Sequence, residues 1–97
     1  MNSETIRMKM LKICNDVFQT TFDEELSTGF EYFDLVDDLG MDSIMFITLI
    51  VEIEDSFDII IPDELILMEN YKSVEDFMMI IEQSLNNHGE IVEDEKT

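Results

Sequence analysis

Tryptophan is absent from this 97-residue chain, and cysteine, histidine and proline each occur once. One cysteine cannot close an internal disulfide, and one cysteine with one histidine argues against a zinc site. Three glycines are too few for a Gly-rich loop that cradles phosphates. Basic residues are also scarce: five Lys and Arg stand against 24 Asp and Glu, for a net charge of -19. That balance argues against nucleic acid, whose phosphates need clustered Lys and Arg, and against anionic membrane surfaces. No apolar run approaches membrane length, and the N-terminus has no apolar signal core, so a cytoplasmic protein without a membrane span is expected.

What is present is 45% hydrophobic residues, enough for one small folded domain but only a modest core. A deep enclosed catalytic pocket has little room in such a chain. The acidic excess suits partners with basic docking patches, with encounter sped by long-range attraction. Equally, it serves to keep a Met- and Ile-rich protein soluble.

The periodicity predicts a first helix over 4–19, with Ile6, Met10, Ile13 and Val17 at three- and four-residue spacing and Asn2 or Ser3 as its cap. Cys14 falls on the apolar face and reads as a small buried hydrophobe. Residues 20–41 form a long connection with no sustained period. Its scattered apolar residues (Phe22, Leu26, Phe30, Tyr32, Phe33, Leu35 and Val36) would pin it to the core, with a short turn of helix around 33–36. A second helix is predicted over 43–57, capped by Asp42. Ile44, Ile47, Val51, Ile53 and Phe57 are read as its inward face, leaving Met45, Phe46 and Leu49 partly outside. This helix is apolar around more of its circumference than one core requires. The surplus near Ser43 is either a contact surface or deeper packing under the long loop.

Asp58 ends that helix, and residues 59–62 are an extended connector. Pro62, Asp63 and Glu64 open a short third helix ending near Met68 or Glu69. A last helix starts at Ser73, with Asp76 at the capping-box position and Val74, Phe77, Ile80, Ile81 and Leu85 as its stripe. Asn86, Asn87 and Gly89 are read as its stop. The expected architecture is all-α: a four-helix bundle with a short third helix and a long first loop, over 1–87, followed by an acidic flexible tail, 88–97.

Catalysis by Ser43 would need a base in reach, and the single histidine, His88, falls in the expected tail. The acids at 34, 37, 38 and 42 do not follow EF-hand spacing, since Val36 and Met45 stand where ligands belong, so no metal site is expected. What remains is a serine at the start of a helix. Such a terminus favours phosphate through its free N–H groups and dipole, whereas the plainer reading makes Ser43 part of the cap.

At this point the sequence resembles the acyl carrier protein family. The signature stands as Asp38-Leu39-Gly40-Met41-Asp42-Ser43-Ile44. A second block, 54–64, carries the acidic run, Phe57 and Ile61-Pro62. A third, 71–77, resembles the entry into the family's last helix. The resemblance implies that Ser43 carries a 4′-phosphopantetheine arm, installed from coenzyme A by a phosphopantetheinyl transferase. The arm's thiol would hold an acyl cargo as a thioester, with the chain acting as carrier and not as enzyme. Fatty-acid carriers shelter their cargo between helices. The matching partner surface would include Asp38, Asp42, Ile44, Met45, Phe46, Glu52 and Asp55.

This chain departs from housekeeping fatty-acid carriers, which usually have Leu at the position of Ile44 and acids at the positions of Met45 and Thr48. Asp-Ser-Ile is commoner in peptidyl and polyketide-type carriers. The expectation is therefore a monomeric carrier in fatty-acid, lipid or polyketide-type synthesis, served by loading and processing enzymes with basic or apolar docking patches. An aminoacyl, peptidyl or D-alanyl carrier is the alternative of the same class, and an unmodified helical adaptor the alternative of another.

Overall fold

A computed structural model of the protein describes residues 2–22 and 29–94, with side chains through residue 86. The described residues form three α-helices: α1 (Ser3–Phe18), α2 (Ser43–Phe57) and α3 (Val74–Asp94). Short 3-10 turns lie at Phe30–Tyr32, Asp63–Leu65 and Met68–Asn70. No strand occurs among the described residues; a single antiparallel bridge joins Asp34 to Ser73.

The helix ends follow from local chemistry. Asn2 Oδ1 accepts the Thr5 amide at 2.8 Å, which satisfies one orphan N–H of α1. Gln19 closes the helix in the left-handed conformation, φ 60°. Asn15 then pins the outgoing chain: its Oδ1 accepts from Phe22 N and Thr20 Oγ1, and its Nδ2 donates to Phe22 O. Asp42 caps α2 and Asp58, φ 55°, ends it. Lys9 Nζ donates to the Ser56 carbonyl at 3.1 Å and lies over the Phe57 ring. It thus ties α1 to the last turn of α2, where the helix dipole favours a cation.

α1 packs against both α2 and α3. It contributes Ile6, Met10, Ile13, Cys14 and Phe18 to the core. Phe46, Leu49, Ile50, Ile53 and Phe57 come from α2, and Val74, Phe77 and Ile81 from α3. The long connection adds Phe30 and Leu35, both fully buried. Arg7 Nε pairs with Glu31 at 3.0 Å and its guanidinium covers the Phe30 ring, so this part of the connection is anchored to α1.

Three expectations are corrected. Two 3-10 turns, Asp63–Leu65 and Met68–Asn70, stand in place of the short third helix, so the described residues hold three α-helices where four were expected. Pro62 (ψ 143°) and Leu67 (φ -127°, ψ 117°) are not helical, and the Leu65 carbonyl is taken by the Tyr71 hydroxyl at 2.8 Å. The turn of helix expected at 33–36 lies earlier, at Phe30–Tyr32, because Phe33 is extended. α3 runs through the Asn86, Asn87 and Gly89 stop to Asp94. Leu26, and the tail from residue 95, lie outside the described residues.

Candidate attachment site at the start of α2

The turn over 34–41 positions the site. Asp34 Oδ1 accepts the amides of Val36 and Asp37, and Asp38 Oδ2 accepts the amide of Asp34. These local side-chain bonds fold the acidic run back on itself, which is what Asp does in turns. Gly40 takes φ 73°, a left-handed conformation that a Cβ makes costly. Met41 N then donates to Leu35 O at 2.9 Å, and Leu35 N to Lys72 O at 2.8 Å. Because Leu35 and Met41 are buried, the turn is fixed to the core and to the entry of α3. That entry is itself capped, with Asp76 Oδ2 accepting the Lys72 and Ser73 amides.

Out of this turn the chain passes Asp42 and begins α2 at Ser43. Asp42 Oδ1 accepts the Met45 amide at 2.8 Å, and its carbonyl accepts the Phe46 amide. The Ser43 and Ile44 amides precede the first residue with an intrahelical acceptor and point out of the helix start. The Ser43 side chain is exposed. An exposed hydroxyl beside free amides suits a phosphodiester. Asp38 and Asp42 would repel a free phosphate, but a covalent bond removes the need for affinity.

Of the residues expected to face partners, Asp38, Asp42, Glu52 and Asp55 are exposed, and Ile44 is 76% exposed. Asp38 and Asp42 also hold the local backbone, as just described. Met45 is half-buried. Phe46 is the exception: it is 3% exposed and packs against Tyr71 and Phe77, so it cannot meet a partner. The inward face of α2 is correspondingly rotated. Ile47 (51%) and Val51 (56%) join Ile44 on the outside, while Phe46, Leu49 and Ile50 turn in. Positions 46, 49, 50, 53 and 57 form a complete three-four stripe. That signal was available in the sequence but competed with the stripe through 44, 47 and 51.

Beside the turn lies an open groove of about 570 Å³, lined by Val36, Met68 and Tyr71 with Asp34, Asp37 and Lys72 among its charged residues. Among the described residues no helix is long and apolar enough to cross a membrane.

Residues 34–78 match the family described as "Phosphopantetheine attachment site", from the turn at Asp34 to the first turn of α3. The chain is also 38% identical over 55 residues to an acyl carrier protein of Phytoplasma mali (strain AT). That match covers 57% of this chain and 63% of the relative's length, less than two thirds of it. The turn over 34–41 and the start of α2 thus lie within a stretch similar to those that bear covalent 4′-phosphopantetheine. The match at 34–78 spans 45 of the 97 residues, and over that stretch the chain is similar to carrier proteins of this kind.

Proposed function

We propose that Ser43 is the attachment residue and that the protein carries an acyl group as a thioester on the arm. The observation that carries this reading is an exposed serine at the first position of a capped helix, inside the matched stretch. Attachment joins Ser43 Oγ to the β-phosphorus of coenzyme A. The pyrophosphate bond breaks, adenosine 3′,5′-bisphosphate leaves, and the hydroxyl proton passes to the transferase or to water. The transferase performs the step; the carrier residues present the hydroxyl. Asp38, Asp42, Ile44, Met45, Glu52 and Asp55 form the docking side, with Ile47 and Val51 added and Phe46 removed.

We assign the carrier unit to 1–87, although α3 itself runs on to Asp94, and read it as a cytoplasmic monomer. Its pathway is fatty-acid, lipid or polyketide-type synthesis. The uncharged run from Ser43 to Val51, with three exposed aliphatic residues, supports enzymes whose docking patch is apolar with a basic rim, reached through the overall negative charge.

Intact mass tests the assignment. The purified chain is incubated with coenzyme A and a broad-specificity transferase, alongside Ser43→Ala. One arm-sized increment on wild type and none on the variant is expected. No increment on wild type removes the carrier reading and leaves the adaptor. An increment on both moves the site. The mass of cargo on protein isolated from its source separates acyl from aminoacyl loading.

A further inference from the structure

A run of hydrogen bonds leads from one side chain on α3 to the turn that carries Ser43. Asp76 lies in the first turn of α3. Its Oδ2 accepts the Lys72 amide at 2.7 Å and the Ser73 amide at 3.2 Å. Its own amide donates to the Ser73 carbonyl at 3.1 Å. These three bonds close Lys72 and Ser73 into a fixed turn and set the direction of the Lys72 carbonyl. That carbonyl accepts the Leu35 amide at 2.8 Å, beside the antiparallel bridge between Asp34 and Ser73. The Leu35 carbonyl in turn accepts the Met41 amide at 2.9 Å. Met41 stands two residues before Ser43.

Leu35 is where the two halves meet. Its side chain is fully buried, and its backbone is used on both sides, by Lys72 and by Met41. Met41 is buried as well, and the Gly40 amide donates to the Val36 carbonyl at 3.0 Å. The turn is thus closed on itself, and a displacement at Leu35 moves it as one piece. Among the described residues, no other hydrogen bond ties the 34–42 turn to an element other than α2. The Asp42 cap fixes the serine relative to α2. The Lys72–Leu35 bond fixes the approach to it relative to α3, and Asp76 fixes Lys72.

We propose that Asp76 is a positioning residue for attachment at Ser43: by orienting the Lys72 carbonyl it holds Leu35, Met41 and hence the serine hydroxyl where a transferase meets it. Asp76 touches neither the hydroxyl nor coenzyme A. What position 76 needs is an acceptor and not a charge, because it holds two amides. A displacement of about 1 Å at a reacting atom can cost about a hundredfold in rate, so a remote cap suffices to matter. This inference rests on the attachment reading of Ser43.

The test loads wild type, Asp76→Ala, Asp76→Asn and Glu75→Ala from coenzyme A with the broad-specificity transferase, followed by intact mass. Glu75 is the exposed neighbouring acid of the same helix turn and controls for lost charge. Amide exchange at Leu35 and Met41 is read by NMR on the same proteins. Asp76→Ala should lower kcat about tenfold with KM within about twofold, since α2 still presents its docking side. Exchange at both amides should quicken about fivefold, the equivalent of one lost cap. Asp76→Asn should restore both readings to within about twofold, and Glu75→Ala should match wild type. Faster exchange with kcat unchanged is what a merely structural cap gives, and it overturns the proposal. A rise in KM alone also overturns it, because Asp76 would then act on docking. So does a fall in kcat as deep for Asp76→Asn or Glu75→Ala as for Asp76→Ala, which charge would explain. If Asp76→Ala does not fold, Asp76→Glu is read in its place. Its carboxylate sits one methylene further out, and the same fall in kcat is expected; an unchanged kcat overturns the proposal. A wild type that gains no arm removes the attachment reading and this inference together. A wild type and an Asp76→Ala that load equally fast remove this inference alone.

Discussion

The Asp42 carboxylate accepts the Met45 amide at 2.8 Å, and this bond fixes where Ser43 stands. It starts the helix at the serine and uses the third amide of α2, leaving the first two facing outward. Asp42→Ala should destabilise the domain by about 1 kcal/mol, the usual worth of a cap. For a domain of this size that lowers Tm by about 4–8 °C. Asp42→Asn keeps an acceptor in place and should stay within about 0.5 kcal/mol of wild type. Thermal melts followed by circular dichroism read both. Equal losses for Ala and Asn would mean that charge, and not the cap, is what counts.

The rotation of α2 is tested by neighbouring residues. Phe46→Ala removes a buried ring that touches Tyr71 and Phe77, and should cost about 3–5 kcal/mol. Ile47→Ala removes a side chain already half in water, and should change stability by less than about 0.5 kcal/mol. Urea unfolding of the two variants distinguishes them. A large loss at Ile47 would restore the other face of the helix to the core.

Most of the fold was legible because its signals were local. Asn2, Asp42, Asp58 and Asp76 act at the helix boundaries where their side-chain chemistry places them, and Ser43 emerged as the first residue of α2. The phase of α2 was not legible, because an almost wholly apolar helix offers two acceptable stripes. The choice between them comes from Tyr71 and Phe77, which are distant in sequence. The missing third helix has the same origin: Pro62, Asp63 and Glu64 do start a turn, but the Tyr71 hydroxyl claims the Leu65 carbonyl. Asn15, which holds Phe22 by both backbone groups, carried no sequence signal, since it looked like one more polar residue on a helix.

Gly40 precedes the site at φ 73°, and a Cβ built there meets nothing within 4 Å. Gly40→Ala therefore tests backbone strain without a clash. The left-handed conformation costs an L-residue about 1–2 kcal/mol, and that loss should appear in the urea midpoint with the slope unchanged. Gly40→Asn, which tolerates this region better, should lose less. If Ala costs nothing, the turn has another conformation open to it and Ser43 is less firmly placed.

Cys14 is fully buried in α1, and burial pushes its thiol from 9.0 up to about 12. Because the folded-state pKa is raised, the neutral thiol stabilises the fold fully below pH 9. That contribution fades as pH rises from 9 towards 12. At pH 8 the native thiol should react with a disulfide reagent only through opening, a state populated at about 10⁻³ or less. Labelling should accelerate steeply through the urea transition. Complete labelling of the folded protein within the mixing time would place Cys14 at the surface.

The charge balance sets the last expectation. Of five basic residues, Arg7 is paired with Glu31, and Lys9 is committed to the Ser56 carbonyl and the Phe57 ring. Few cations remain to offset 24 carboxylates. At 0.01 M salt the Debye length is about 30 Å, so the acids repel across the whole domain; at 0.15 M it is about 8 Å. Tm should therefore rise by several degrees over this range, about 4–8 °C for each kcal/mol of repulsion removed. Sodium and magnesium at matched ionic strength should act alike, because among the described residues no three carboxylate, cysteine or histidine groups are placed to hold a metal ion. A flat Tm would show that the acids are too well hydrated to oppose folding. A magnesium effect saturating at low concentration would require specific binding, since screening has no saturation point in that range.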